Sequence, residues 1–399
     1  MSAIRGTLSG MTAFPPTTTS DLTDDAFRPE SLIARGVDGA PLPRELADAI
    51  MANDALPLTA LVHAAGQVRR HYFGQRVQVH MLHNVQCGAC PEDCGYCGQA
   101  KTSEAPIKAY TLKSFDEIIN EAAQAKANGA FRYCMVLSGR GPDDEDIDHM
   151  VDCIKAVKDQ FGLQTCLSAG LLDRAKADRL KAAGLDRLNH NLNTSREHYP
   201  SICTTHTYDD RVNTLRAATE AGLSLCSGLI VGMGESVSDL LDVAYDLNEL
   251  GSESIPVNFL VPIPGNDVIE PVCGGVPLSP TFCLRLLCVM RLINPRAEIR
   301  MAAGREIHLR SLQAMALEPA NSLFIEGYLL TQGTNAIDTV RMIRDAGFEI
   351  DLSAGEASEE LRAIIDAMDS TVTEPDLNVI KDAHISERKL AKLSVSAKQ

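Results

Sequence analysis

Four thiols crowd into the run Cys87-Gly-Ala-Cys90-Pro-Glu-Asp-Cys94-Gly-Tyr-Cys97. Thiolates two or three residues apart can close around one metal centre, because a single loop then supplies all the ligands. Paired zinc knuckles normally leave about fifteen to twenty residues between their two halves, whereas only Pro91, Glu92 and Asp93 separate Cys90 from Cys94. An iron–sulfur cluster therefore suits the run better than structural zinc. If Cys90, Cys94 and Cys97 bind a four-iron cluster, one iron keeps an open position, which marks a catalytic rather than a structural metal. A second arrangement, with Cys87 closing the cluster as in an electron-transfer ferredoxin, stays open on spacing alone, although Cys87 stands at a strand end where it can point away.

Three more cysteines fall inside apolar runs that read as strands: Cys134 in Phe-Arg-Tyr-Cys-Met, Cys166 in Gln-Thr-Cys-Leu and Cys226 in Leu-Cys-Ser-Gly. A single buried cysteine is ordinarily a small hydrophobe. Three at strand positions converge if the strands close into a barrel. Arg305, in Met301-Ala-Ala-Gly-Arg-Glu306, is expected to share a strand face with Met301 and Ala303, and a buried arginine demands a partner. On another strand Asn189, Asn191 and Asn193 alternate and so face one side. A buried amide face needs hydrogen-bond partners, which a small polar ligand supplies; the opposite orientation, with Leu188, His190 and Leu192 inward, is the competing reading. Cys153, Cys203, Cys273, Cys283 and Cys288 have no motif partners and are assigned no chemistry.

These residues must be positioned by a repeating unit that runs from Val77 to Gly347: a short apolar run, a loop, an amphipathic helix, then glycine. Strands are expected at 77–83, 131–137, 163–168, 186–192, 223–231, 254–261, 298–304 and 322–328. The first helix of the series shows the pattern: Ser114 and Glu117 form a capping box, Ile118, Ala122 and Ala125 share a face, and Gly129 ends it. Eight such units match an α/β fold of the (β/α)8 TIM-barrel type, with its chemistry at the C-terminal ends of the strands. A doubly wound open sheet is disfavoured because no G-x-G-x-x-G follows the first strand. The expected organisation is a flexible N-terminal arm over 1–41, rich in Ser, Thr, Gly and Pro, then a barrel domain with lead-in helices over 42–350, then a partly disordered C-terminal extension over 351–399.

The 399 residues are 45% apolar and 23% charged, as in a soluble globular protein. The excess of 53 acidic over 37 basic residues, a formal charge of −16, repels phosphate backbones and argues against nucleic acid as a partner. No apolar run is long enough to span a membrane, and the first thirty or so residues lack signal-peptide order, so a cytoplasmic location is expected. Twelve cysteines in that compartment point to metal or redox chemistry rather than disulfides.

The C-x3-C-x2-C run with Tyr96 before its last cysteine resembles the signature of the radical S-adenosylmethionine (SAM) superfamily. Its neighbours from Gly88 to Cys97 resemble the biotin synthase family in particular, and the likeness extends from about Leu58 to Phe348. The resemblance implies a [4Fe-4S] cluster on Cys90, Cys94 and Cys97 whose open iron is chelated by SAM, and reductive cleavage of SAM to a 5′-deoxyadenosyl radical. It also implies a [2Fe-2S] cluster on Cys134, Cys166, Cys226 and Arg305, whose sulfide is inserted into dethiobiotin to give biotin. Tyr96, Asn191, Asn193, Arg211 and Ile230 match SAM contacts, with Asn193 standing where the family often has an aspartate. Asn191, Asn258 and Thr331 match contacts to dethiobiotin, with Gln332 in place of a second threonine. A homodimer and a flavodoxin- or ferredoxin-type electron donor are implied as well. The rival readings are another radical SAM reaction on the same barrel and an iron–sulfur electron-transfer protein.

Overall fold

The computed structural model describes residues 24–52, 56–325 and 336–352; the chain divides into two units, Met1–Ser358 and Glu359–Gln399, and all described residues lie in the first. The barrel strands are β1 (Arg76–Asn84), β2 (Arg132–Val136), β3 (Gln164–Ser168), β4 (Arg187–Asn189), β5 (Ser224–Cys226) with its continuation β6 (Leu229–Val231), and β7 (Ser254–Phe259). A hairpin of β8 (Val272–Cys273) and β9 (Val276–Pro277) follows, then β10 (Glu298–Met301) and β11 (Ser322–Phe324), while β12 (Glu349–Ile350) adds to β1. Each of the eight barrel staves pairs in parallel with the next, and β7 with β10 and β11 with β1 complete the ring. This is the expected TIM-type (β/α)8 barrel. The fifth stave is interrupted at Gly228, where a Cβ would stand 2.0 Å from the Pro256 carbonyl oxygen, so only glycine lets the two strands approach.

Helices α1 (Pro29–Val37), α2 (Arg44–Ala52) and α3 (Leu58–Phe73) lead into the barrel; α4 (Phe115–Ala127), α5 (Asp144–Phe161), α6 (Arg174–Ala182), α7 (Tyr208–Glu220), α8 (Val237–Glu249) and α9 (Pro280–Ile293) alternate with its strands. The Ser114–Glu117 capping box is present on α4, and the device recurs at Asp143–Asp146, Thr207–Asp210 and Ser236–Asp239. Each box satisfies two backbone N–H groups that the first helical turn would leave without partners. The short helices α10 (Arg305–His308) and α11 (Gln313–Ala316) and then α12 (Ala336–Asp345) complete the set among the described residues.

The expected arm over 1–41 differs from the structure. A 3-10 turn at Asp24–Phe27 and α1 precede Leu42, Leu32 is buried, and the Tyr72 hydroxyl donates to the carbonyls of Gly36 and Val37 at 3.1 and 2.7 Å. One buried leucine in nine residues is too sparse a pattern to read as a packed helix from sequence. Residues 1–23, and the expected extension beyond Leu352, lie outside the described residues.

Strand alternation sorts the side chains into two compartments. Ile255, Val257, Ile299 and Met301 join the apolar layer between barrel and helices, while Cys134, Cys166, Cys226, Ala302 and Phe324 form a separate cluster inside the ring. The placement of Arg305 is corrected here. Met301 faces outward, so the residues of β10 that face inward are Glu298 and Arg300. The strand ends at Met301; Gly304 turns the chain at φ +75°, where a Cβ would lie 2.3 Å from the Phe259 carbonyl oxygen, and Arg305 opens α10. Its guanidinium bonds Gln313 at 2.5 Å and Thr339 at 3.4 Å, away from the thiols.

Candidate active site

The barrel floor is charged. Arg187 and Arg300 both bond Glu298, and His80 meets the same carboxylate at 3.0 Å. Burial pushes the Glu298 carboxyl up, yet Arg300, His80 and Arg187 together hold it well below its ordinary range. Burial and the neighbouring Arg300 lower His80 to about 3, so the ring is neutral. Arg132, 5% exposed, points its Nε and Nη1 at no hydrogen-bond partner among the described residues. Three buried guanidiniums thus face one carboxylate, an excess of positive charge that calls for anions directly above.

The next layer supplies them. Cys134 and Cys166 stand side by side in the β2–β3 register, and Cys166 contacts both Cys134 and Cys226 through thiol hydrogen bonds. Arg300 Nη1 reaches Cys226 Sγ at 3.7 Å, and Asn189 Nδ2 reaches it at 3.1 Å. The hydrogen bond from Cys166 and the arginines lower the Cys134 thiol despite its burial. Cys166, bonded to Cys134, is pushed up to about 12.

Above the thiols the amides turn toward the same cavity. Asn189 and Asn191 line it as the alternation predicts, with Asn189 Nδ2 3.4 Å from Asn191 Oδ1, which also accepts the Gly228 N–H at 3.1 Å. β4 ends at Asn189, so alternation stops there; His190 also reaches the cavity, and Asn193 adopts φ +70°. Asn193 nevertheless lines the cavity, donating from Nδ2 to the Tyr96 hydroxyl at 2.5 Å. Ile230 and Asn258 line the cavity from the neighbouring staves; Asn258 accepts from the Ala303 N–H at 3.2 Å and donates to the Leu229 carbonyl at 3.1 Å. Arg211 is buried against the Asn191 carbonyl at 2.8 Å and Tyr199; burial opposes its charge, but Tyr96, Tyr199 and Cys94 hold its pKa up. Thr331 and Gln332 lie outside the described residues.

Cys90, Cys94 and Cys97 line the mouth of this cavity, and Cys87 does not. Cys87 is held instead in backbone pairing with Tyr110, N to O at 3.1 and 2.9 Å. The loop that carries the three thiols is fastened on both sides: the Gly95 N–H to the Ile202 carbonyl at 2.9 Å, and Asn266 Nδ2 to the Tyr96 carbonyl at 2.9 Å. Burial raises the thiols of Cys90 and Cys97, and a hydrogen bond donated to Cys203 raises that of Cys94. Three neutral thiols gathered at one end of a polar cavity suit a cluster that replaces their protons, with room beside it for a bound cosubstrate.

Several residues of the site carry no signal in the sequence. Asp93 accepts the N–H groups of Thr204 and Thr205 at 2.9 and 3.1 Å, and Glu92 receives His206 Nδ1 and Thr205 Oγ1 at 2.5 Å. The Glu92-Asp93 pair thereby seats the thiol loop on the 203–206 segment. Cys203, assigned no chemistry above, lies 3.7 Å from Cys94, sulfur to sulfur.

Comparison with known proteins agrees with this geometry. Residues 86–247 match the family model of the radical SAM superfamily, and residues 256–349 match the Biotin and Thiamin Synthesis associated domain. A biotin synthase of Acaryochloris marina is 55% identical over 316 residues, covering 79% of this chain and 89% of the relative. One of Rhodopirellula baltica is 43% identical over 362 residues, 90% of this chain and 100% of the relative. Among solved structures, methylornithine synthase superposes with a TM-score of 0.69 at 21% identity, covering 84% of this chain and all of that one. The FeFe-hydrogenase maturase of Carboxydothermus hydrogenoformans gives 0.68 at 19% identity, over 81% of this chain and 79% of its own; both likenesses concern the fold. Identity of this order over most of the chain, on a barrel that carries a thiol triad at its mouth and three more thiols within, makes the chain a member of the biotin synthase family.

Proposed function

We infer that the chain is a radical SAM sulfurtransferase that converts dethiobiotin to biotin. The observation that carries this reading is the stack of two thiol sets in one barrel, Cys90, Cys94 and Cys97 above and Cys134, Cys166 and Cys226 below, with an amide layer between. The carbons to be functionalised have no accessible acidity, so acid–base side chains cannot activate them. When bound, a four-iron cluster with an open iron supplies the electron that cleaves SAM and so generates a hydrogen-abstracting radical.

The residues of the chain then bind, orient and exclude water. Tyr96 and Asn193, joined at 2.5 Å, form one wall for the adenosyl group, with Ile230 and Arg211 beside them. Asn191 and Asn258 present amides to the ureido ring of dethiobiotin, and Thr331 is the contact assigned to its carboxylate. Asn189 links this layer to the sulfur source below through its contact with Cys226. Cys134, Cys166 and Cys226 would hold a two-iron cluster, which would supply the sulfur. Arg300 would be its fourth ligand, because its Nη1 reaches Cys226 Sγ at 3.7 Å, and the excess of buried guanidinium over carboxylate is balanced when the thiols ionise. A homodimer, a flavodoxin- or ferredoxin-type electron donor and a cytoplasmic location belong to the same reading. Among the described residues no helix is long and apolar enough to cross a membrane.

Mössbauer spectra of anaerobically reconstituted protein, before and after adding SAM and dethiobiotin, test it together with a biotin assay. Separate four-iron and two-iron signals are expected, with SAM altering only the former and turnover consuming the latter. A single four-iron signal without biotin formation would make Cys134, Cys166 and Cys226 packing residues and leave another radical SAM reaction.

A further inference from the structure

Cys203 and His206 come to the outer thiols from the segment between β4 and α7, and the function proposed above uses neither. The ligand atoms of Cys94, Cys203 and His206 all lie within 4.8 Å of one another, and all three residues are buried. Cys94 and Cys203 are 3.7 Å apart, sulfur to sulfur, and Cys203 Sγ lies 3.3 Å from His206 Nδ1. Two thiolates bound at about 2.3 Å to one tetrahedral zinc ion stand roughly 3.8 Å apart, and a thiolate and an imidazole nitrogen roughly 3.6 Å. The two distances from Cys203 thus lie within about 0.3 Å of tetrahedral zinc spacing, and the third ligand pair lies within 4.8 Å.

The surroundings add what such a site needs. Glu92 Oε2 is 2.5 Å from His206 Nδ1, and Asp93 Oδ1 is 3.3 Å from Cys203 Sγ. Arg211 Nη2 donates to His206 Nε2 at 2.8 Å, so the ring proton sits on Nδ1, toward Glu92 and the two sulfurs. When zinc binds at Nδ1 the ring proton moves to Nε2, so Arg211 gives up that contact while keeping its bond to the Asn191 carbonyl, and the Glu92 carboxylate is then available as a ligand.

We propose that the chain, when it lacks its four-iron cluster, binds one zinc ion through Cys94, Cys203 and His206, with Glu92 as the fourth ligand. Binding is ligand exchange without electron transfer: the zinc stays divalent, the thiol protons pass to solvent, and the neutral ring keeps its one proton on Nε2. Because Cys94 serves both sites, zinc and the four-iron cluster exclude each other. That exclusion rests on the assignment of Cys94 to the cluster; the zinc site itself does not.

The test is a titration of the full-length, iron-free chain with zinc in competition with a chromophoric chelator, with zinc X-ray absorption on the product. One zinc per chain in a mixed sulfur and nitrogen shell is expected. Cys203→Ser and His206→Ala each weaken it by roughly tenfold or more, while Cys90→Ser and Cys97→Ser leave it unchanged. The zinc-loaded chain takes up no four-iron cluster until the zinc is chelated. Loss of zinc in Cys90→Ser with retention in Cys203→Ser would assign the ion to the cluster triad and overturn the proposal, as would a chain that binds no zinc. The readout is zinc affinity, not biotin formation, so an inactive chain that binds zinc in this way separates failure of the enzymatic reading from failure of the site.

Discussion

Arg300 Nη1 stands 3.7 Å from Cys226 Sγ, a thiol 74 positions away in sequence, while its Nη2 reaches Glu298 and Ser254. One guanidinium thereby joins the charged floor of the barrel to its thiol layer. Arg300→Lys keeps a cation against Glu298 but loses the fork. It is expected to alter the visible and resonance Raman spectra of the inner cluster, while Arg305→Lys leaves them unchanged. An altered spectrum in Arg305→Lys with a normal one in Arg300→Lys would reverse the assignment.

Cys90, Cys94 and Cys97 line the cavity mouth, whereas Cys87 is engaged with Tyr110. Serine at any of the first three positions is expected to remove the four-iron signal and abolish SAM cleavage. Cys87→Ser retains both. Iron content and the electron paramagnetic resonance spectrum of the reduced protein decide it.

Tyr96→Phe deletes the acceptor of the Asn193 amide. With one hydrogen bond worth about 1 kcal/mol, the KM for SAM is expected to rise roughly fivefold, with kcat little changed. A fall in kcat at constant KM would mean that the phenol acts beyond holding Asn193.

Glu235 is fully buried, and burial raises its carboxyl to about 7 even though the N–H groups of Gly232 and Met233 donate to it. Between its unfolded value near 4.3 and this folded value, the folded chain binds the extra proton, so its stabilising contribution is complete at low pH and declines as pH rises through that window. The stability of wild type minus that of Glu235→Gln is therefore expected to fall from pH 4.5 to pH 7, by at most about 3 kcal/mol. Denaturant unfolding of the iron-free chain at several pH values measures it, and a wild type that gains stability over Glu235→Gln as pH rises would contradict the buried, protonated carboxyl.

The eight strands, the capping boxes, the thiol triad and the order of the three inner cysteines were legible because each is a local pattern. Alternation, spacing and cap chemistry act over a few residues. The inward pair Asn189 and Asn191 came from the same source. Arg305 shows where local pattern fails: the register of Met301 was misassigned by one residue, and period-two alternation turns such a slip into the opposite face. The turn at Gly304, set against the Phe259 carbonyl on another strand, decided where β10 stops. Closing the barrel also brought Cys203 and His206 to Cys94, and gathered three arginines around Glu298. Those residues come from separate stretches of chain, and their partners are chosen by distance in space and by the cost of burying an uncompensated charge, neither of which is written in the spacing of any one segment.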